Sequence, residues 1–524
     1  MTKKILKRPK KIAVEKTKQI TNPELVFGIV GPIGVDLNPV IDSLEDGLGK
    51  VGYKPFKIHL TELMETERIN VRLDNSTYFK RYKSLISYAN AFRKAAKNGA
   101  ALAGVAILEI RRLRAAKTGS SDQPSLGAAY IVRQFKRPEE VELMRRVYGR
   151  KFVLVSVYGS ESERRAVLMD KIRRYENSPK DDGEIERQAI ELIGIDNNQI
   201  DDANGQRISD VFHLGDVFVD GTNAEKSSET MHRFVKALFG ATGISPSKDE
   251  YGLYIAAAAG LRSVDLSRQV GAAIFSKASE VIALGCNEVP KAGGGTYWSD
   301  DAGPKYRDVE IGTDANQERK NEIFFDLVER LGKEHFLSRS MSALETQKRV
   351  DRLLSRQRVV DSQLMDIIEF GRMVHAEMSA ISDAARLGRS VKNATLFCTT
   401  FPCHLCAKHV VASGISRLVF LEPYPKSYAR KLHPDSITFE RKEAMDVGHS
   451  PEEGGKVLFE PFIGISPRRY RDIFEKKKRK DDKGHAMPWY ESGPIPMIED
   501  KSGTYVENEE PAVYVALESL FVAA

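Results

Sequence analysis

Two short motifs carry a set of metal-binding side chains, and this set constrains the fold more than any other feature of the chain. Residues 375–377 read His-Ala-Glu, and residues 402–406 read Pro-Cys-His-Leu-Cys. A catalytic zinc ion takes three protein ligands and leaves a fourth position for water. Cysteines three apart at the start of a helix place both sulfurs on one side of its first turn, where the helix dipole favours thiolate. The sequence therefore predicts one catalytic Zn2+ ion per subunit, held by His375, Cys403 and Cys406.

Glu377 lies two residues beyond the histidine, so we do not expect it to be a fourth ligand on the same helical face. It can instead stand beside a zinc-bound water, whose pKa the metal lowers until hydroxide exists near neutral pH. The pattern H-x-E followed by P-C-x-x-C is the signature of zinc deaminases that act on nucleobases. In that chemistry hydroxide attacks C4 of cytosine, and Glu377 is predicted to carry the proton to N3 and later to the departing ammonia.

Other interpretations of the cysteine pair are weaker. A structural zinc site needs four protein ligands, and the sequence has no second C-x-x-C. His404 and His409 lie close by, but His404 falls between the cysteines and would point elsewhere on a helix. A redox pair is disfavoured because no thioredoxin-like context surrounds it. Cys286 and Cys398 are predicted to be buried small side chains rather than ligands.

Composition and charge restrict the class of protein. The chain has 524 residues, which predicts two or three domains, and four cysteines, too few for a disulfide scaffold. No apolar stretch approaches the roughly 18 residues of a membrane helix, and the N-terminus lacks the apolar region of a secretory signal. We therefore expect a cytoplasmic protein without membrane contact.

Residues 1–18 contain eight Lys or Arg and one acid, a balance equal to the +7 net charge of the whole chain. Such a run can bind a phosphate backbone or can be a solvated tail, and the sequence leaves both open.

The order of apolar runs predicts two α/β domains. A strand over Leu25–Val30, a helix over Asn38–Lys50 and a strand over Lys54–His59 form a βαβ opening. From about residue 245 two hairpin-like strands precede a helix over Gln363–Leu387, which carries the His-Ala-Glu motif. A strand, a helix that opens at Cys403 and a last strand complete the order of a three-layer α/β/α domain.

Residues 263–428 resemble the deoxycytidylate deaminases, the nucleotide-level branch of the cytidine deaminase fold. The resemblance rests on residues 267–272, on Gly-Cys-Asn at 285–287 and on residues 399–407. It implies that Asn287 contacts the sugar or base, that Arg268 lies near the nucleotide phosphate, and that Ser267 belongs to the same substrate site. From the residues alone, Asn287 can equally be a turn residue after a strand.

Nearly the whole chain is similar to the bacterial anti-phage deoxycytidine nucleotide deaminases, antiviral cytidine deaminases with a P-loop-kinase-like N-terminal half. Arg262–Gln269, Glu422–Ser427 and Pro467–Tyr470 carry this similarity. It implies conversion of dCTP and dCMP to dUTP and dUMP, which depletes dCTP for a replicating phage. It also implies an inhibitory small noncoding RNA, a regulatory nucleotide and a homo-oligomer, with a hexamer favoured.

The predicted fold class is α/β, with an N-terminal P-loop-kinase-like α/β domain at 23–240 and a three-layer α/β/α cytidine-deaminase-fold domain at 245–475. A basic disordered arm at 1–22 and a C-terminal extension at 476–524 flank them.

The phosphate loop of the first domain is degenerate. A working loop reads G-x-x-x-x-G-K-[ST], with backbone N–H groups around the phosphates. Aligned on Gly31 and Gly34, the chain lacks the second glycine, the lysine and the hydroxyl residue, and Asp36 brings negative charge toward a triphosphate. Nucleotide binding through backbone amides stays open, whereas phosphoryl transfer is not supported. A regulatory or structural role is predicted, to which Gly205-Gln206-Arg207 could contribute.

Two other functions compete with a nucleotide deaminase. The alternative is a single-stranded DNA or RNA cytosine deaminase, a polynucleotide editor, which would need basic and aromatic residues interleaved around the pocket. Arg417, Tyr424, Lys426 and Tyr428 give it thin support. The third is an RNA-regulated binding module with an inert deaminase domain, and the intact metal and glutamate motifs argue against it.

Overall fold

The computed structural model describes residues 22–66, 69–176, 181–199, 202, 204–424, 427–439, 441, 444, 455–476, 478–489, 493–498 and 503–522. The chain forms two compact units. The first comprises the chain up to Ser245 together with Ile463–Ala524, and the second is Pro246–Phe462. The predicted basic arm, apart from its last residue, lies outside the described residues. Within these ranges no helix is long and apolar enough to cross a membrane.

Strands and helices are numbered along the chain. The strands are β1 (Leu25–Val30), β2 (Lys54–His59), β3 (Ala128–Arg133), β4 (Phe152–Tyr158), β5 (Val217–Asp220), β6 (Gly271–Phe275), β7 (Val281–Cys286), β8 (Thr395–Thr400), β9 (Arg417–Glu422), β10 (Ile437–Thr438), β11 (Val457–Pro461) and β12 (Gly464–Ile465). The helices are α1 (Asn38–Lys50), α2 (Leu60–Leu63), α3 (Tyr78–Ala96), α4 (Ala101–Thr118), α5 (Pro138–Tyr148), α6 (Glu161–Glu176), α7 (Asp182–Asn197), α8 (Ile208–Phe212), α9 (Ala224–Leu238), α10 (Lys248–Gly260), α11 (Asp308–Ile311), α12 (Ala315–Lys333), α13 (Arg339–Ser342), α14 (Thr346–Leu354), α15 (Gln357–Val360), α16 (Ala376–Arg386), α17 (His404–Ala412), α18 (Ala429–Leu432), α19 (Tyr470–Phe474) and α20 (Tyr505–Val522).

Parallel strands form the centre of the first unit's sheet, in the order β5-β4-β1-β3-β2, and β12 joins antiparallel to β5. Successive side chains of a strand point to opposite faces. In β1, Val26 and Val30 accordingly join one hydrophobic core, and Leu25, Phe27 and Ile29 join another. Burial on both faces is typical of a parallel sheet between helices. The α/β class is confirmed for this unit, and its kinase-like character stays a prediction.

The C-terminal part of the chain packs with the first unit. Strand β12 pairs with β5, with Ile465 opposite Val217, and α20 packs against α3, α4 and α5. The sequence-based division instead assigned residues up to 475 to the second domain and treated the rest as an extension. The structure divides the chain differently because these contacts join residues far apart in the sequence, which local patterns do not report.

A buried ion network fastens α20 to the first unit. The Arg114 guanidinium donates to both carboxylates that face it, with Nη2–Oε2 of Glu24 at 2.8 Å and Nη2–Oε1 of Glu509 at 2.7 Å. Tyr505 Oη donates to Glu24 at 2.6 Å, and Tyr148 Oη donates to Glu509 at 2.9 Å. Arg114, Glu24 and Glu509 are each at most 1% exposed. Because each charge has hydrogen-bonding partners, burial of the network is tolerated.

Replacing Arg114 by methionine should therefore destabilise the first unit strongly. Removal of one partner from a buried ion network leaves the other charges uncompensated, which costs about 3–5 kcal/mol in free energy of unfolding. Urea unfolding followed by circular dichroism measures the loss. Arg112→Met is the matched control, because Arg112 is exposed on the same helix and solvent screens its pairing with Glu109, which is therefore expected to contribute little to stability. Equal effects of the two substitutions would contradict this account.

The second unit is built on a mixed sheet in the order β10-β11-β9-β8-β6-β7. Strands β10, β11, β9 and β8 are parallel, and β6 is antiparallel to β8 and β7. Two glycines let helices approach this sheet from opposite faces. A Cβ at Gly271 would lie 1.9 Å from the Ala256 carbonyl oxygen in α10, and a Cβ at Gly285 would lie 2.1 Å from the Ala376 carbonyl oxygen in α16. Gly285 is opposite Ala272, the neighbour of Gly271, so the two helices cover different faces.

One predicted helix is wrong at its start. The sequence predicted a helix over Gln363–Leu387, but α16 begins only at Ala376. Val374 instead forms a β-bridge with Glu288, and the Ala376 N–H donates to the side-chain oxygen of Asn287 at 2.9 Å. The helix cannot extend backward because these partners hold the preceding backbone in an extended conformation. The interruption places His375 at a helix end rather than inside a helix.

Candidate metal centre and active site

His375 and Cys403 occupy equivalent positions at the N-termini of two helices. Each is the last extended residue before the helix begins, with φ −61° and ψ 156° for His375 before α16 and φ −67° and ψ 166° for Cys403 before α17. Cys406 lies in the first turn of α17. The partial positive charge at a helix N-terminus stabilises a thiolate. The two motifs are thereby brought together as the sequence predicted.

The distances among these three side chains fit one metal ion. His375 Nδ1 lies 3.3 Å from Cys403 Sγ and 3.4 Å from Cys406 Sγ, and all three ligand atoms lie within 4.8 Å of one another. A tetrahedral zinc with Zn–S of about 2.3 Å and Zn–N of about 2.0 Å separates a nitrogen and a sulfur ligand by roughly 3.5 Å. The donor set, one imidazole and two cysteines, is also one that zinc prefers.

Local charge and burial set the proton affinities at the site. Hydrogen bonds from Cys406 and His375 lower the pKa of the Cys403 thiol to about 4. Burial raises the pKa of the Glu377 carboxyl, which is 4% exposed. Burial also raises the pKa of the Cys398 thiol on the neighbouring strand far above its usual range. The site thus combines a Cys403 thiol that loses its proton easily with a Glu377 carboxyl that holds its proton more strongly than usual.

His375, Cys403 and Cys406 are here called the metal-binding group. A cavity of about 180 Å³ lies beside this group, and the predicted substrate residues line it. Ser267, Arg268 and Asn287 line it with Glu377 and His375. The cavity is smaller than the roughly 300–1,000 Å³ of typical sites for drug-sized ligands, so it suits a small group such as a nucleobase. The individual roles of the three residues stay predictions.

Asn287 holds the start of α16 as well as lining the cavity. Its Oδ1 accepts the Ala376 N–H, and its Nδ2 donates to Asp265 Oδ2 at 3.2 Å and to the Arg268 carbonyl at 3.3 Å. Because Ala376 directly follows His375, the amide of Asn287 helps to fix the imidazole ligand. Asn287 is therefore more than a turn residue.

Arg268 and Ser267 line this cavity, and each of them contacts an acidic side chain. Arg268 forms an ion pair with Glu422, and Ser267 Oγ donates to Asp314 Oδ2 at 3.4 Å. The Arg268 side chain is 40% exposed, so its guanidinium remains accessible to an anionic group.

The sequence did not single out several other residues of the cavity, among them Asp265, Asp314, Asn316 and Phe401. Asp265 stands two residues before Ser267, so its closeness to a recognised motif was an available signal. Asp314 and Asn316 come from the long segment between β7 and α16, here called the insertion, which carries no motif before the His-Ala-Glu residues, so only the tertiary structure brings them here.

The neighbouring histidines and cysteines are not part of the metal-binding group. His404 Nε2 lies 3.3 Å from Glu369 Oε1, which directs the ring away from the cysteines, and His409 is exposed. Cys286 and Cys398 are buried, as expected. Among the residues that the structure describes, the group consists of the three predicted ligands.

The glycine turn of the first unit borders a second cavity, of about 320 Å³. Gly31, Gly34 and Asp36 all line it, and so does Gln206. Gly34 has φ of 92°, which glycine adopts without strain. Asp36 Oδ1 accepts the Asn38 N–H at 3.0 Å, at the start of α1.

A carboxylate of the chain itself occupies the turn. The Ile33 N–H donates to Asp196 Oδ2 at 2.6 Å, and Lys136 Nζ donates to Asp196 Oδ1 at 2.7 Å and to the Gly31 carbonyl at 3.0 Å. A backbone N–H of such a turn would face a phosphate in a working phosphate loop. Here that N–H already has an internal anionic partner.

The second unit is similar in sequence to known proteins over part of its length. Residues 246–422 match the family model of the cytidine and deoxycytidylate deaminase zinc-binding region. The deoxycytidylate deaminases of Enterobacteria phages T2 and T4 are each 48% identical over 54 residues, which is 10% of this chain and 29% and 28% of their own lengths. The chain thus spans less than a third of these curated relatives. The dCMP deaminase of cyanophage S-TIM5 in complex with dCMP and dUMP aligns over 42% of this chain and 100% of its own, at 16% identity and a TM-score of 0.22.

The second unit is therefore similar, over residues 246–422, to the cytidine and deoxycytidylate deaminase zinc-binding region. The description of the matched region and the grouping of His375, Cys403 and Cys406 together suggest zinc as the metal.

Loss of one ligand should abolish tight zinc binding. The purified protein is expected to hold one zinc ion per chain, and Cys403→Ala should reduce this to a small fraction because two remaining ligands cannot complete the site. Elemental analysis after dialysis measures the content. Cys286→Ala, at another buried cysteine, is the control and should keep its zinc. Full zinc content in both Cys403→Ala and His375→Ala would place the metal elsewhere.

Proposed function

We propose that this protein is a zinc-dependent hydrolase that deaminates deoxycytidine nucleotides, converting dCTP and dCMP to dUTP and dUMP. The observation that carries the proposal is the grouping of His375, Cys403 and Cys406 beside the small cavity that buried Glu377 also lines. The match of residues 246–422 to the deaminase zinc-binding region supports the reaction class. The phage relatives, which are deoxycytidylate deaminases, support a deoxycytidine nucleotide as substrate.

Glu377 is the proton carrier of the proposed reaction. A zinc ion held by His375, Cys403 and Cys406 would supply an activated water as the nucleophile. The Glu377 carboxylate accepts the proton that this water loses and delivers it to N3 of cytosine as the water oxygen bonds to C4. Glu377 then takes the remaining hydroxyl proton and gives it to the amino group, which leaves C4 as ammonia. Burial favours the protonated carboxyl, which assists the steps in which Glu377 donates.

The cavity offers distinct partners for the other parts of a nucleotide. Arg268 is accessible at the cavity and can pair with a phosphate, which would compete with Glu422 for the guanidinium. Ser267 and the amide of Asn287 provide polar contacts for the sugar or base. These assignments follow the resemblance to the deoxycytidylate deaminases.

The biological setting is proposed from the resemblance to anti-phage deaminases. In that setting the protein is cytoplasmic, forms a homo-oligomer and depletes dCTP during infection while a small noncoding RNA restrains it. The basic N-terminal arm is a candidate RNA contact, and its residues 1–21 lie outside the described part of the chain.

For the first unit we propose a regulatory role rather than phosphoryl transfer. Its parallel sheet and glycine turn support the P-loop-kinase-like assignment, and the volume of the cavity at the turn, about 320 Å³, falls in the usual range of small-molecule sites, roughly 300–1,000 Å³. The Asp196 carboxylate opposes the binding of a triphosphate at the turn itself, because it already accepts the Ile33 N–H. A nucleotide would therefore bind in the cavity with its phosphates away from Asp196.

Glu377→Gln should remove the activity while the metal stays bound. Loss of a general acid–base group lowers kcat by roughly 10²- to 10⁴-fold. Ammonia release and uracil formation are measured for zinc-loaded, RNA-free protein with dCTP, dCMP, CTP, cytidine and a cytosine-containing oligonucleotide. Glu318→Gln, at an exposed glutamate of the same unit, is the control and should retain wild-type rates. Activity confined to the oligonucleotide would overturn the proposal in favour of a polynucleotide editor.

Arg268→Ala separates phosphate recognition from chemistry. A lost charge-assisted contact should raise KM for dCMP and dCTP by roughly tenfold or more, and turnover of the nucleoside deoxycytidine should be unchanged. Steady-state kinetics on the three substrates measures the split. An equal loss on deoxycytidine would mean that Arg268 supports the shape of the site instead of binding phosphate.

A further inference from the structure

One wall of the active-site cavity comes from the long insertion that precedes the His-Ala-Glu motif. Ile368 and Gly371 belong to the non-helical segment Ile367–Gly371, here called the wall segment, and both line the cavity. Asp314 and Asn316, at the start of α12, line it beside them. This insertion therefore contributes directly to the space in which a substrate would bind.

Asn316 joins α12 to the wall segment through both ends of its amide. Its Nδ2 donates to the Ile367 carbonyl at 2.8 Å, and its Oδ1 accepts the Phe370 N–H at 3.2 Å. Asp314 Oδ1 in turn accepts the Asn316 N–H at 2.8 Å, which fixes the start of the helix. An amide that uses a donor and an acceptor on one backbone segment sets both the position and the orientation of that segment.

The wall segment is also fastened on its other side. Glu369 Oε1 lies 3.3 Å from Nε2 of His404, the residue between the two cysteine ligands. The segment thus runs from α12 to the start of α17, beside the metal-binding group. A substrate must fit between this wall and Glu377.

The charges around the cavity oppose a continuous nucleic-acid strand. Among the described residues that line it, Arg268 is the only Lys or Arg, and Asp265 and Asp314 place two carboxylates there. A base within a polynucleotide has a phosphate on each side of its sugar, whereas a free nucleotide has phosphate on one side. Proteins that track single strands use positively charged grooves with stacking aromatics. Among the described lining residues the cavity thus offers one cation for one phosphate group and none for a second, beside two carboxylates that would repel it.

We propose that Asn316 is a positioning residue that holds the wall segment and that this wall restricts the site to free mononucleotides. This inference rests on the proposed deaminase function and adds what selects its substrate class. Asn316 takes no part in the proton transfers. Its effect is therefore expected in substrate binding and discrimination rather than in the rate of the chemical step.

The test compares wild type, Asn316→Ala and the matched control Gln317→Ala. Gln317 is exposed on the same turn, and its side chain donates to Asn321. The substrates are dCMP and a short single-stranded oligonucleotide with one cytosine. Asn316→Ala should raise KM for dCMP by roughly fivefold with little change in kcat, because about one net hydrogen bond that orders the wall is lost. The same variant should gain activity on the oligonucleotide, and Gln317→Ala should behave as wild type.

A second variant and a binding measurement keep the test decisive. Ile368→Ala trims the wall without touching the amide contacts and should shift discrimination in the same direction. In a Glu377→Gln background, equilibrium binding should weaken for dCMP and strengthen for the oligonucleotide when Asn316 is replaced. Unchanged discrimination in both wall variants, or loss of kcat with KM unchanged, would overturn the inference while leaving the deaminase proposal intact. A wild-type protein inactive on every nucleotide would overturn both.

Discussion

The meeting of two helix N-termini is the constraint on which the candidate site depends. Gly285 allows α16 to lie against the sheet, and Asn287 accepts the Ala376 N–H at the first residue of that helix. These contacts place His375 beside Cys403 at the start of α17. A shift of either helix by a fraction of a turn would separate the imidazole from the thiols, because the ligand atoms of one metal ion must lie within a few ångströms of one another.

The same arrangement gives Glu377 its environment. The glutamate follows the histidine by two residues, so the helix that delivers the ligand also places the carboxyl in the cavity. Its burial raises its pKa, whereas hydrogen bonding lowers that of Cys403. Two acidic groups a short distance apart thus have proton affinities shifted in opposite directions, which is a common property of catalytic sites. The insertion then encloses the cavity from a side that neither motif controls.

The first unit is assembled from both ends of the chain. Buried Arg114 binds Glu24 near the start of the described chain and Glu509 in the last helix. The glycine turn after β1 has likewise acquired an internal partner, since Asp196 accepts the Ile33 N–H. A turn that resembles a phosphate loop in sequence can therefore be satisfied by the protein itself. This internal contact cannot be predicted from the turn sequence, because Asp196 lies 163 residues from Ile33 in the chain.

Local patterns in the sequence were enough to determine β1, α1 and β2, whose predicted bounds agree with the structure, and to predict the three side chains that the structure groups together at the candidate metal site. Each of these depends on neighbouring residues, through hydrophobic periodicity or through ligand spacing within a short motif. The start of α16 was mispredicted, because the β-bridge of Val374 and the Asn287 contact override local helix propensity. Asp314, Asn316 and Asp196 acquire their positions only through contacts across long stretches of chain. Tertiary packing decided the shape and charge of both cavities, because side chains from distant segments have to meet before a cavity exists.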